Sequence, residues 1–206
     1  MKDKISGIAA QLLIDNIDTD QIIPTEFLKS IKKYGFGDYL FDGWRYLKDG
    51  DLDTPVDQRG IREDFILNQP PYNKAKILLA GDNFGCGSSR EHAVWALRDF
   101  GIEAVLATSF GDIFYNNCFK NNVLAIKLKP EEFDKVSSFV SNDPFQLSIS
   151  LANKQIEIGD QKIIFDIEDS LIQRVIHDLD DVDITLKEAQ AIKAFEAKHL
   201  TSKPWL

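Results

Sequence analysis

An apolar run that empties into a glycine-crowded loop, and then into a helix, constrains this chain more than any other feature. Residues 76–101 read KILLAGDNFGCGSSREHAVWALRDFG. Ile77-Leu78-Leu79-Ala80 has the length and composition of a buried strand. Gly81, Gly85 and Gly87 crowd the loop that follows. Ser88 and Glu91 have capping-box spacing, Ala93, Leu97 and Phe100 recur on one helical face, and Gly101 is the expected stop. A strand, a glycine loop and a helix N-terminus in that order make an anion site: the first-turn amides are unpaired, and the helix dipole places about half a positive charge there. Arg90, expected inside the first turn, adds a cation that can grip a carboxylate through two parallel hydrogen bonds.

Several chemistries compete for GDNFGCGSSREHA. A P-loop is excluded, because no lysine follows the last glycine. A dinucleotide fingerprint fits poorly, since Gly85 and Gly87 match but Arg90 stands where the third glycine belongs. Cys86 with His92 is a conceivable nucleophile pair, but a cysteine before the helix and a histidine one turn into it have no evident reason to face each other. His92 and Trp95 read as packing residues or as supports behind the site rather than as catalysts. The remaining reading is an oxyacid site in which Ser88 or Ser89 handles a proton, its alkoxide stabilised by the helix terminus and Arg90. Against it stands a plain N-cap, with the Ser88 hydroxyl on the amide of Glu91; spacing by itself favours the cap.

The bulk properties narrow the partners. With 206 residues there is ample chain to bury a core. A net charge of −9 without a basic block argues against nucleic acid, which needs a positive footprint. Two cysteines, Cys86 and Cys118, make neither a disulfide scaffold nor a complete metal or iron–sulfur ligand set. The N-terminal segment turns acidic without a small-residue cleavage site, so no signal peptide is expected, and no segment approaches the ~20 apolar residues of a membrane span. A cytoplasmic protein is expected.

Along the chain, Ile8 to Ile14 is strand-like and ends in the polar corner Asp15-Asn16-Ile17-Asp18-Thr19-Asp20, read as a turn. The glycine and distal glutamate of a calcium loop are missing there. Thr25 to Lys33 reads as a short helix punctuated by Pro24. Residues 34–73 lose their period and form an irregular insertion, either a lid or a plain surface excursion. Strands at 103–107 and 123–128 alternate with helices at 110–119 (Ile113 and Phe114 inward, Asn121-Asn122 ending it) and 130–140 (Phe133, Val136 and Val140 inward), the pattern of an α/β layer. Short strands at 145–151, 155–158 and 162–167 read as an antiparallel meander. Helices at 169–179 and from Thr185 to about His199, the latter capped by Thr185 and Glu188, are expected to lie over one domain spanning residues 1–206.

The string NFGCGSSREHAVWAL, together with NIDTDQIIPTEFLKS and the ending KPWL, resembles the small subunits of bacterial 3-isopropylmalate dehydratases, of the aconitase superfamily, over essentially the whole chain. The resemblance implies an α/β, three-layer β/β/α swivelling domain with C-terminal helices. It implies a separate large subunit bearing a [4Fe–4S] cluster, with no cofactor or metal in this chain, and interconversion of 2- and 3-isopropylmalate by loss and readdition of water. It places the carbon-proton base at Ser88 and the catalytic acidic position at Asp20. A dicarboxylate substrate would bind Ser89 and Arg90 beside Gly87, and the segment after Pro24 (Phe27, Leu28, Ile31 and Tyr34) would wall an isopropyl group. Related hydro-lyases acting on citraconate, dimethylmalate or homoaconitate stay open, as does a non-catalytic anion-binding module.

Overall fold

The computed structural model describes residues 3–140, 144–203 and 205; Pro204 and Leu206 of the terminal KPWL lie outside them. In chain order the elements are β1 (Lys4–Leu12), α1 (Thr19–Ile22), α2 (Asp42–Arg45), β2 (Ile77–Ala80), α3 (Glu91–Phe100), β3 (Ala104–Ala107), α4 (Asp112–Lys120), β4 (Leu124–Lys127), α5 (Pro130–Val140), β5 (Phe145–Ser150), β6 (Gln155–Ile158), β7 (Gln161–Ile164), α6 (Asp169–His177), α7 (Asp181–Leu186) and α8 (Ala189–Ser202).

The seven strands among the described residues form one sheet in the order β4-β3-β2-β1-β5-β6-β7. The β4 to β1 half is parallel, and β5 to β7 run antiparallel from the far side of β1. The expected α/β architecture is therefore present, with the meander joined directly to the parallel half. β2 and β3 are buried at every position, which is why they read as unbroken apolar runs, whereas β6 alternates between buried and half-buried residues. Phe133, Val136 and Val140 of α5 face inward as expected, and Asn121 ends α4.

Other expectations are corrected. β1 starts earlier and stops at Leu12, leaving Leu13 and Ile14 exposed. The corner after it is more than a turn: Asp18 caps α1, accepting from the Gln21 amide while the Gln21 side chain accepts from the Asp18 amide. Of the helix expected from Thr25 to Lys33, only Thr25–Lys29 is helical, as a 3-10 turn. Ile113 is 52% exposed, because α4 buries Phe114, Cys118 and Phe119 instead. The C-terminal helix is split. Asp180 and Asp183 cap α7, Thr185 bonds back to the Asp181 carbonyl, and α8 starts at Ala189 without a side-chain cap. Nor do α7 and α8 lie over the sheet, since neither buries a residue.

The irregular 34–73 segment is pinned from within. Arg59 and Asp42, both buried, form a two-pronged ion pair at 2.6 and 2.5 Å, and Arg59 also donates to the Lys48 carbonyl and lies over the Tyr46 ring. Phe36, Leu40, Phe41 and Leu67 enter the common core. No helix among the described residues is long and apolar enough to cross a membrane.

Candidate active site

The loops leaving the carboxyl ends of β1, β2 and β3 are stitched together. Ladder pairing between the first two resumes beyond the strands, with Asp18 opposite Cys86 in the same register as Leu12 opposite Ala80. Gly85 donates to the Ile17 carbonyl at 2.7 Å and Thr19 to the Cys86 carbonyl at 3.0 Å. On the other side Phe84 pairs with Phe110: Phe84 donates to Ser109 and Gly111 to Phe84. Side chains reinforce the seam. Asp82 Oδ1 accepts from the Thr108 and Ser109 hydroxyls at 2.8 and 2.6 Å, and these bonds, Ser109 first, hold its carboxyl below the usual range. The crevice outside the carboxyl ends of parallel strands is where open α/β sheets bind ligands.

Two glycines shape the loop. Gly85 has φ +72°, and a Cβ there would sit 2.2 Å from the Phe114 ring. Gly87 has φ +87°, and a Cβ there would come no closer than 3.4 Å to any neighbour, an ordinary contact. Beyond them Ser88 and Ser89 are exposed. The expected capping box does not form. α3 begins at Glu91, Arg90 occupies the N-cap position in an extended conformation, and no side chain caps the helix. The Ser88 hydroxyl is thus not spent on the Glu91 amide. Arg90 stands before the first turn rather than inside it.

Asp20 joins this group. Its Oδ1 accepts from Arg90 Nη1 and, at 2.9 Å, from Thr25 Oγ1. Thr19 Oγ1 donates to the Ser88 carbonyl at 3.0 Å. Gly87, Ser88, Ser89, Arg90 and Asp20 are therefore brought together. Thr19 and Thr25 are additions: the Ser88 partner of Thr19 lies 69 residues on, where sequence spacing carries no signal, whereas Thr25 stands five residues after Asp20.

The apolar wall is revised. Phe27 is 0% exposed and stacks on Tyr39 with ring centroids 4.1 Å apart, so it packs in the core and presents no surface of its own. Leu28 is half-buried against the same core. Ile31 is 100% and Tyr34 71% exposed. The segment between them runs from Thr25, beside Arg90, to Phe36, whose amide donates to Asp99 of α3. His92 packs edge-on to Phe36 and against Trp95, as expected of a packing residue, and burial lowers its pKa.

A [4Fe–4S] cluster takes about four thiolates. Cys118 is buried, its thiol pushed well above the usual range by desolvation, and Cys86 is partly buried. Among the described residues no three His, Cys, Asp or Glu side chains converge as a metal site. With Cys86 and Cys118 as its cysteines, the chain has fewer thiolates than such a cluster takes.

Fold and loop together define a domain of the aconitase C-terminal class. Residues 2–131 match the family model described as the aconitase C-terminal domain, and residues 181–206 match the model for the C-terminal domain of the 3-isopropylmalate dehydratase small subunit. Proteins described as 3-isopropylmalate dehydratase small subunits from Neisseria meningitidis (49% identical; 98% of this chain, 96% of the relative) and Brucella canis (49%; 98% and 97%) are similar over nearly their whole lengths. The crystal structure of a 3-isopropylmalate dehydratase from Methanocaldococcus jannaschii superposes with a TM-score of 0.62 at 27% identity, covering 94% of this chain and 99% of that one. The chain belongs to the 3-isopropylmalate dehydratase small-subunit family.

Proposed function

We propose that this chain assembles with a separate large subunit and supplies the proton-handling and carboxylate-binding half of an active site that interconverts 2-isopropylmalate and 3-isopropylmalate. The observation that carries this reading is the Ser88-Ser89-Arg90 triplet at the start of α3, with both serines exposed and Arg90 half-buried beside Asp20. Ser88 takes and returns the carbon-bound proton. Ser89, Arg90 and the backbone at Gly87 hold a substrate carboxylate. A proton on carbon beside a carboxylate is weakly acidic, so its removal depends on donors aimed at the charge that develops. The amino end of α3 and the Arg90 guanidinium are such donors, and the same field favours an ionised serine. Asp20 and Thr25 orient Arg90, while Ile31 and Tyr34 offer apolar surface to the alkyl substituent.

The exposure of Ser88 and Ser89 leaves water exclusion to the large subunit. We assign the cluster expected for this class to that subunit, and no residue here ligates it. Two free cysteines accord with a reducing cytoplasm. Co-expression with a large subunit and an anaerobic assay on 2-isopropylmalate test the reading. Product from the assembled pair, and none from this chain by itself, is the expected result. An inactive assembly, or equal turnover by the isolated chain, rejects it.

A further inference from the structure

The first turn of α3 forms without a side-chain cap, so something else must fix where it starts. That support comes from the end of α4. Asn121, 9% exposed, donates from Nδ2 to Glu91 Oε1 at 2.8 Å and to the Asn117 carbonyl at 2.9 Å, while its Oδ1 accepts from Trp95 Nε1 at 2.8 Å. Both amide protons and the oxygen are engaged, so the side chain has one orientation. A single buried amide thereby ties the first residue of α3 and the residue one turn further on to a neighbouring helix. Glu91 itself is exposed and receives no other side-chain donor among the described residues.

We propose that Asn121 is a positioning residue for the reaction: by holding Glu91 it fixes the point at which Ser88, Ser89 and Arg90 leave the loop and enter the helix. This rests on the reading of that triplet as the site. On its upstream side the triplet is tied by Thr19 to the Ser88 carbonyl; Asn121 supplies the downstream tie. With the second tie cut, the first turn frays and the spacing between the Ser88 hydroxyl and the Arg90 guanidinium is lost. A misplacement of about 1 Å costs about a hundredfold in rate.

Asn121→Asp keeps the shape of the side chain and the acceptor for Trp95, but sets a carboxylate against that of Glu91. In the two-chain enzyme kcat should fall about ten- to a hundredfold with large-subunit affinity unchanged. Amides 93–95, the first in α3 to bond back to the carbonyls of the opening turn, should exchange hydrogen about tenfold faster or more, as expected for a locally opened turn. Adding Glu91→Gln, whose amide can donate to the introduced carboxylate, should restore both readouts, while Glu91→Gln by itself keeps an acceptor and should stay near wild type. Unchanged exchange in Asn121→Asp overturns the proposal whatever kcat does, and so does a double variant no better than the single one. Should Asn121→Asp fail to fold, Glu91→Ala at its exposed position carries the test. Faster exchange of the same amides at an unchanged melting temperature supports the proposal; unchanged exchange overturns it. A wild-type assembly without turnover would remove the reading of the triplet, while exchange still decides whether Asn121 holds the turn.

Discussion

The guanidinium of Arg90 donates to the carboxylate of Asp20, a residue separated from it by 70 positions in the chain. The pair fastens the acidic corner after β1 to the start of α3, and Thr25 completes it by donating to the same carboxylate oxygen at 2.9 Å. A guanidinium has five donors. Holding it through Nη1 orients the group while leaving donors for a second carboxylate.

Ser88→Ala tests the base directly. The side chain is exposed and caps nothing, so the melting temperature and large-subunit affinity should stay near wild type. Turnover should drop by about 10²–10⁴-fold, the usual contribution of a positioned proton-transfer group. Anaerobic steady-state assays of the assembled enzyme measure it, and activity near wild type would remove Ser88 from the mechanism.

Arg90→Lys keeps the charge and loses the fork. Hydrogen bonds to charged groups contribute about 1.5–3 kcal/mol, so KM for the diacid should rise about tenfold or more. Asp20→Asn should lower kcat/KM, because an unanchored guanidinium must be ordered again for each substrate. Equal kinetics in Asp20→Asn and wild type would show that the ion pair is dispensable.

Gly85→Ala and Gly87→Ala separate conformation from packing. Both glycines have positive φ, which costs an alanine about 1–2 kcal/mol. At position 85 the new methyl also overlaps the Phe114 ring, adding about 1–3 kcal/mol of overpacking. Thermal unfolding should therefore show Gly85→Ala clearly less stable than Gly87→Ala, at about 2–4 °C per kcal/mol for a chain of this size. Comparable melting temperatures would contradict the close approach of loop and α4.

His92 gives stability a pH dependence of known sign. Burial, opposed by Glu91 and aided by Arg90, lowers its pKa from the ordinary 6.5. The unfolded chain therefore binds the proton first as pH falls, and stability decreases below about pH 6.5 until the folded pKa is passed. Above that window the contribution is constant. The difference in melting temperature between wild type and His92→Phe, followed from pH 7.5 to about 5.5, should shift in the variant's favour as the solution becomes more acidic. A pH-independent difference would show that His92 titrates normally.

The sequence was most legible where a structure is made by neighbours. The run at 77–80, the alternation at 155–158 and the inward face of α5 follow from burial repeated at a fixed period. Asp18 and Gln21 carried a capping signal within four residues that reads equally as a polar turn. The capping spacing of Ser88 and Glu91 was misleading, because Glu91 is bonded to Asn121 of another helix instead of the loop. Phe27 could not be told from a pocket wall, since an aromatic residue beside a candidate site serves either role until its ring is seen stacked on Tyr39. The Arg59–Asp42 pair had no periodic signal at all.

By itself the sequence determined the succession of strands and helices, the glycine loop feeding α3, and the presence of a serine pair with an arginine at its end. These depend on backbone preferences and hydrophobic periods that act over a few residues. Only the tertiary structure decided that Asp20, Thr19 and Thr25 meet the triplet, that Asn121 holds the turn behind it, and that α7 and α8 stand away from the core. Those contacts follow from parallel pairing of β1 with β2, whose register carries past the strand ends into the loops. Parallel register is fixed by the whole buried sheet and not by any local stretch, which is why it could not be read before the fold was known.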